Sequence, residues 1–125
     1  MVPIPIAIAL GGAAGSLARY GLSTWVTSRA GVGGAGTFAV NLVGALAIGL
    51  VLGAVESRFA ETPRWVTLGL TTGILGGFTT FSAFAYDAIA HVEAGDSALA
   101  VAYVVGTVVL GIAAAAGGLA LGRSL

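Results

Sequence analysis

Ten charged side chains punctuate this chain, and the gaps between them constrain the fold class more than any other feature. Arg19, Arg29, Glu56, Arg58, Glu61, Arg64, Asp87, Glu93, Asp96 and Arg123 leave four long neutral stretches, residues 1–18, 30–55, 65–86 and 97–122. A helix needs about 20 apolar residues to cross a ~30 Å hydrocarbon core, and each stretch is close to that length or above it. The sequence therefore predicts an all-α membrane protein with four transmembrane helices, at approximately 4–27, 36–56, 64–90 and 98–122. These form a single domain over residues 1–125. Short connections near 28–35, 57–63 and 91–97 carry or border most of the charge, together with Pro63 and the only histidine, His91.

Composition agrees with this division. Of 125 residues, 58% are hydrophobic and 8% charged, whereas a soluble domain carries roughly 25% charge to keep its surface wet. Mean hydropathy is +1.04. Net charge is zero and lysine is absent, which argues against a nucleic-acid partner, since a phosphate backbone wants a clear basic excess. Without cysteine, disulfides and thiolate metal sites are excluded. A cleaved leader would begin with a basic region, and no basic residue precedes Arg19, so the first stretch reads as a span. An even number of spans puts both termini on one side of the cell (inner or plasma) membrane. Arg58, Arg64 and Arg123 share that side and Arg29 lies opposite, so the positive-inside rule places the termini in the cytoplasm. Three against one is a small bias, compatible with insertion in both orientations.

Small and polar residues within the spans come next. Gly11 and Gly15, Gly49 and Gly53, and Gly118 and Gly122 each form a GxxxG pair. Such spacing lets helix backbones approach closely in lipid, where packing drives association; glycine is also simply common in membrane helices. The small face Ala45, Gly49, Gly53 suits close packing of the second span. Four short helices enclose little space, so a transport function would favour a dimer. Arg19 lies about 22 Å along the first helix from Ile4, near the far interface. There it serves either as a snorkelling anchor or as an anion-attracting charge at a vestibule.

The third span holds the most informative segment, GGFTTFSAF, from Gly76 to Phe84. Paired glycines followed by paired threonines make a poor helix centre, because Gly adds backbone freedom and Thr is stiff. A break near mid-membrane is expected, tolerated only where the freed backbone groups face protein, water or an ion; the other reading is an unbroken helix using Gly for packing. Phe81 and Phe84 lie three apart, on one face. Their ring edges carry partial positive charge that a small anion could contact, although rings in such helices commonly meet lipid. Asn41 is deep in the second span, one turn after Thr37, and Tyr103 and Thr107 share a face of the fourth. These side chains supply hydrogen-bond donors and mark either a pathway or interhelical bonding.

With these residues in place, the chain resembles the Fluc (CrcB-type) fluoride-channel family. Three blocks match in order: GGAAGSLARYGL (Gly11–Leu22), GTFAVNLVGALAIGL (Gly36–Leu50) and GGFTTFSAF. The resemblance implies an antiparallel, dual-topology homodimer, or a heterodimer with a related chain, in the cell membrane. It implies passive, fluoride-selective export from the cytoplasm that lowers fluoride toxicity. It also implies a structural sodium ion at the dimer centre, bound by the backbone carbonyls of Gly76 and Thr79. By the same resemblance, Asn41, Phe81, Ser82, Phe84, Tyr103 and Thr107 belong to the fluoride pathway, Arg19 to the vestibule, and Asp87 replaces a usual Glu. Ala83 and Gly111 stand where hydroxyl residues are common, so the pathway is either thinner in donors or completed by a homologous partner. The alternatives are a small proton-coupled multidrug exporter, which needs a membrane-embedded carboxylate, and a non-conducting subunit of a heterodimer.

Overall fold

The protein's computed structural model describes residues 2–125, and among them every regular element is helical. Helix α1 spans Ile4–Ala30, α2 Ala35–Ser57 and α5 Ser97–Arg123. Between them, α3 (64–78) and α4 (Phe81–Glu93) follow one another with a two-residue interruption. The ends are set locally. Prolines open α1 and stand just before α3, where a missing N–H costs nothing. Gly31 closes α1 at φ 67°, and its N–H bonds the Thr27 carbonyl. Asp96 caps α5 by accepting the Leu99 N–H at 3.1 Å.

The helices reach a few residues beyond the bounds expected for the spans. By length and apolar character, Ala35–Ser57, Arg64–Glu93 and Ser97–Arg123 can cross a membrane. The 27 residues of α1 make a rod of ~40 Å, but this helix is less apolar than α2 and α5.

Two backbone-to-backbone seams hold the helices together. In the first, a Cβ built on Gly49 would strike the Ala115 carbonyl and one on Gly53 that of Leu119. Conversely, Gly118 and Gly122 face the carbonyls of Leu46 and Leu50. Residue numbers rise together along this seam, so α2 and α5 run in the same direction. The second seam joins α1 to α3: Gly11 faces Gly69 and Gly73, Gly15 faces Ile74 and Phe78, and Gly77 faces Gly12. These helices are also parallel to each other, as alternating up-and-down passage of the chain requires. Two expected GxxxG pairs therefore meet each other across the first seam, while the Gly11–Gly15 pair packs on the backbone of α3, Gly11 against Gly69 and Gly73 and Gly15 against Ile74 and Phe78.

The buried set is correspondingly small. Among the described residues Val40 alone is a fully buried large side chain, with Ala100 and Tyr103 close behind, whereas glycines fill the seams. Large apolar side chains such as Leu10, Leu17 and Ile112 remain about two-thirds exposed or more. A soluble chain buries such groups; in lipid they face acyl chains that are equally apolar, and close packing replaces the hydrophobic drive.

Candidate functional site

The site grows out of the way α3 ends. Arg64–Leu68 is α-helical, Gly69–Leu75 is wound as a π-helix, and Gly76–Phe78 returns to α. Thr79 (φ −86°, ψ 160°) and Thr80 (φ −152°, ψ 118°) are then extended before α4 begins. The break falls on the threonines, and the paired glycines before it stay helical.

Several of the hydrogen bonds lost in the break are replaced by side chains. In a continuous helix the Thr80 N–H would close on the Gly76 carbonyl. It donates instead to Asn41 Oδ1 at 2.8 Å, and Asn41 Nδ2 donates back to the Thr80 carbonyl at 3.0 Å. The Asn41 amide thus acts as a surrogate peptide, pairing with both backbone groups of one residue. The Ala83 N–H, which would have closed on Thr79, goes to Thr80 Oγ1 at 3.2 Å and starts α4. Ser16 Oγ reaches the Gly77 carbonyl at 3.5 Å, and Arg19 Nη1 donates to the Thr79 carbonyl at 3.4 Å. Gly44 makes the approach possible, since any side chain there would collide with the Thr79 methyl.

The Arg19 guanidinium lies level with the break, where it meets the Thr79 carbonyl. It borders a hollow of about 230 Å³ shared with Ser16, Tyr20, Ser23, Thr37 and Thr80. A positive charge beside hydroxyls, in a hollow without a carboxylate, can draw in a small anion.

On the other side of Thr80, a cleft of about 290 Å³ gathers Asn41, Phe81, Phe84 and Thr107. The Phe81 and Phe84 rings are tilted at 53° with centroids 5.7 Å apart. The file continues through Phe84–Tyr103 at 5.5 Å and Tyr103–His91 at 5.6 Å. Phe84 is half-buried, whereas Phe81 is 79% exposed in the single chain. Thr107 is buried and its hydroxyl has no hydrogen-bond partner. An unpaired buried hydroxyl is costly, so this one is available to a ligand at no loss of an existing bond. Tyr103 is also buried, but its hydroxyl donates to Asp87 Oδ2 at 3.3 Å; while that bond holds, its proton is not free for an anion. Ser82 is exposed, 3.3 Å from Thr80 Oγ1.

The structure therefore brings Asn41, Phe81, Phe84 and Thr107 into one cleft and sets Tyr103 one ring further along. Gly76 and Thr79 border a neighbouring hollow of about 280 Å³ with Asn41, Gly44 and Thr71. The break deprives the carbonyls of Gly76, Gly77, Phe78 and Thr79 of their helical donors, and of these Gly76 and Thr79 border this hollow. They are neutral, hard oxygens of the kind that replace an alkali cation's hydration shell, and a Cβ on Gly76 would meet only the Thr71 carbonyl, at 3.7 Å. The donor chemistry fits sodium, with Arg19 as a competing partner for Thr79. Gly111 is equally open: a Cβ there meets nothing within 4 Å, so its lack of a hydroxyl is not imposed by packing.

Sequence reasoning missed Thr80, Gly44, Ser16 and the run Gly69, Gly73, Gly77. The glycine run carries the same four-residue spacing as the pairs already noted and was open to discovery. Thr80 precedes a helix in the manner of an N-cap. Nothing local marks Gly44 or Ser16, whose roles depend on a distant segment.

The family model for CrcB-like protein, Camphor Resistance (CrcB), matches residues 6–119. The protein named "Fluoride-specific ion channel FluC" of Chloroflexus aurantiacus is 44% identical over 119 residues, spanning 94% of each chain. That of Agrobacterium fabrum is 44% identical with the same coverage. The Solibacter usitatus protein of the same name is 46% identical over 117 residues, covering 93% of this chain and 95% of its own length.

Proposed function

The chain belongs to the CrcB-like family, and from that premise we propose that it is a fluoride-specific channel that lets the ion leave the cytoplasm by passive electrodiffusion. It is a multi-pass membrane protein and not an enzyme. Four crossings are made: the three apolar spans and α1, whose glycines bind it to α3. The observation that carries the reading is the unpartnered hydroxyl of Thr107, buried in a cleft that it shares with two phenylalanine rings and the Asn41 amide and that contains no carboxylate.

A fluoride ion entering this cleft must shed part of its water. Ring edges of Phe81 and Phe84 carry partial positive charge, and the Thr107 hydroxyl donates a hydrogen bond. Such contacts compensate dehydration without binding so tightly that exit is blocked. Arg19 and its hydroxyl-lined hollow raise the local anion concentration near the break. Tyr103 continues the path only when its proton is released from Asp87.

One copy leaves this cleft open at Phe81, so the working assembly is an antiparallel pair, either two copies of this chain or this chain with a related one. The weak Arg asymmetry supports dual orientation. The Gly76 and Thr79 carbonyls of each copy would hold a sodium ion between them, and when bound it supplies positive charge that neutralises the facing oxygens. A proton-coupled exporter would need a free carboxylate within its spans, and Asp87 is engaged by Tyr103.

The test is reconstitution of the purified chain in liposomes with efflux followed by a fluoride electrode. Rapid fluoride loss with chloride retained is expected. Equal leakage of both ions would overturn selectivity, and no flux unless a homologue is added would replace the homodimer with a heterodimer. Phe81→Ile should abolish most of the flux while the purified pair elutes unchanged; normal conduction by that variant would remove the ring face from the pathway.

A further inference from the structure

Away from the break, two adjoining hollows of about 400 and 660 Å³ lie along the seam between the N-terminal halves of α1 and α3 and share Val2 and Trp65. Their floor is built from small residues, Ala7 and Gly11 on one helix and Gly69 on the other. Leu10, Leu70 and Ile74 form the walls. Among the described residues Arg64 is the one charged side chain at the rim. We propose that this groove holds an acyl chain of an anionic glycerophospholipid whose phosphate pairs with Arg64.

Three observations converge on that occupant. The groove runs along α1 from Val2 to Ala14, about 18 Å at the rise of an α-helix. This is close to half of the ~30 Å hydrocarbon core, the depth of one leaflet. A chain seated from the rim downward would therefore be covered along its length. Arg64 is exposed, and the sole ion pair among the described residues joins Arg123 to Glu56, so no carboxylate lies within 4 Å of its guanidinium. A guanidinium in that state matches a phosphate, which it can engage through two parallel N–H groups. Trp65 lies beside it, a residue type that settles at the level of lipid headgroups. The charge, the interfacial ring and the apolar trough thus follow one another in the order headgroup, interface, acyl chain. The inference needs only that the chain spans a bilayer, and it stands whether or not fluoride is the conducted ion.

The chain has two tryptophans, Trp25 and Trp65, so Trp25→Phe leaves Trp65 as the only tryptophan, excited selectively at the red edge where the tyrosines do not absorb. This variant is reconstituted in phosphatidylcholine vesicles containing a fixed minor fraction of acyl-brominated phosphatidylglycerol or acyl-brominated phosphatidylcholine. Brominated phosphatidylglycerol should quench Trp65 with about fivefold higher apparent affinity, the ratio equivalent to the ~1 kcal/mol of one basic residue near anionic lipid. Arg64→Gln should erase the preference while leaving quenching by both lipids and fluoride flux intact. Equal quenching by the two lipids in the unsubstituted-Arg64 protein would overturn the proposal in favour of an unselective lipid annulus. Absence of quenching by either would overturn it in favour of a groove covered by a second copy. A parallel measurement needs no tryptophan variant: native mass spectrometry of the full chain should retain phosphatidylglycerol over phosphatidylcholine, and Arg64→Gln should lose that retention.

Discussion

The seam between α2 and α5 and the region around the end of α3 are built from the same ingredients, glycines four residues apart on neighbouring helices, yet they behave oppositely. Along α2–α5, Gly49, Gly53, Gly118 and Gly122 bring two backbones together and both helices stay unbroken. Along α1–α3, Gly11, Gly15, Gly73 and Gly77 do the same, but α3 is π-wound and stops at Thr79. Close approach by glycine is therefore not what opens a helix in lipid. What separates the two regions is a set of side chains able to take over peptide hydrogen bonds. Asn41, Thr80, Ser16 and Arg19 surround the break, while the middle of the other seam is lined by Leu46, Leu50, Ala115 and Leu119, which offer none. A backbone group freed in hydrocarbon costs several kcal/mol, so a break persists only where such partners wait.

The comparison can be broken first at the closed seam. Gly49→Leu places a branched side chain against the Ala115 carbonyl, with no room for even the first methyl. Overpacking of this kind costs about 1–3 kcal/mol where side chains can yield, and here backbone would have to move. The expected outcome is failure to purify a monodisperse species by size-exclusion chromatography. A variant that elutes normally and conducts would show that this seam is dispensable.

A second variant acts on the break itself. Asn41→Ala orphans the Thr80 N–H and carbonyl, costing about 2 kcal/mol if water reaches them in part. Asn41→Asp keeps an acceptor for the N–H but cannot donate to the carbonyl. Amide hydrogen exchange at Thr80 should accelerate strongly in the first and less in the second, with fluoride flux falling in the same order. Unchanged exchange at Thr80 alongside lost flux would mean that Asn41 serves the ion and not the backbone.

The smallest effect on stability sharpens the contrast between a bonding group and a waiting one. Thr107→Val removes a hydroxyl that has no partner, so resistance to thermal denaturation should stay the same or rise slightly. Flux should nevertheless drop about tenfold, equivalent to ~1.4 kcal/mol of a lost hydrogen bond to the ion. Lower stability with full conduction would turn Thr107 into a structural residue.

Much of this was written locally. The interval between charges delimits the spans because lipid tolerates few unpaired charges over a length set by bilayer thickness. The pair Thr79–Thr80 after two glycines marks where α3 fails, and the spacing of Phe81 with Phe84 and of Tyr103 with Thr107 places each pair on one face. What a linear pattern leaves open is which other helix that face will meet. Asn41 acts on a backbone 39 positions away, and Arg19 on one 60 positions away. From its position along α1 alone, Arg19 reads as an interfacial residue; only the packing of α1 against α3 puts it beside a freed carbonyl. Periodicity records direction around a helix axis, whereas hydrogen-bond partners and parallel seams arise from the docking of whole helices, a property that exists only once the chain has closed on itself.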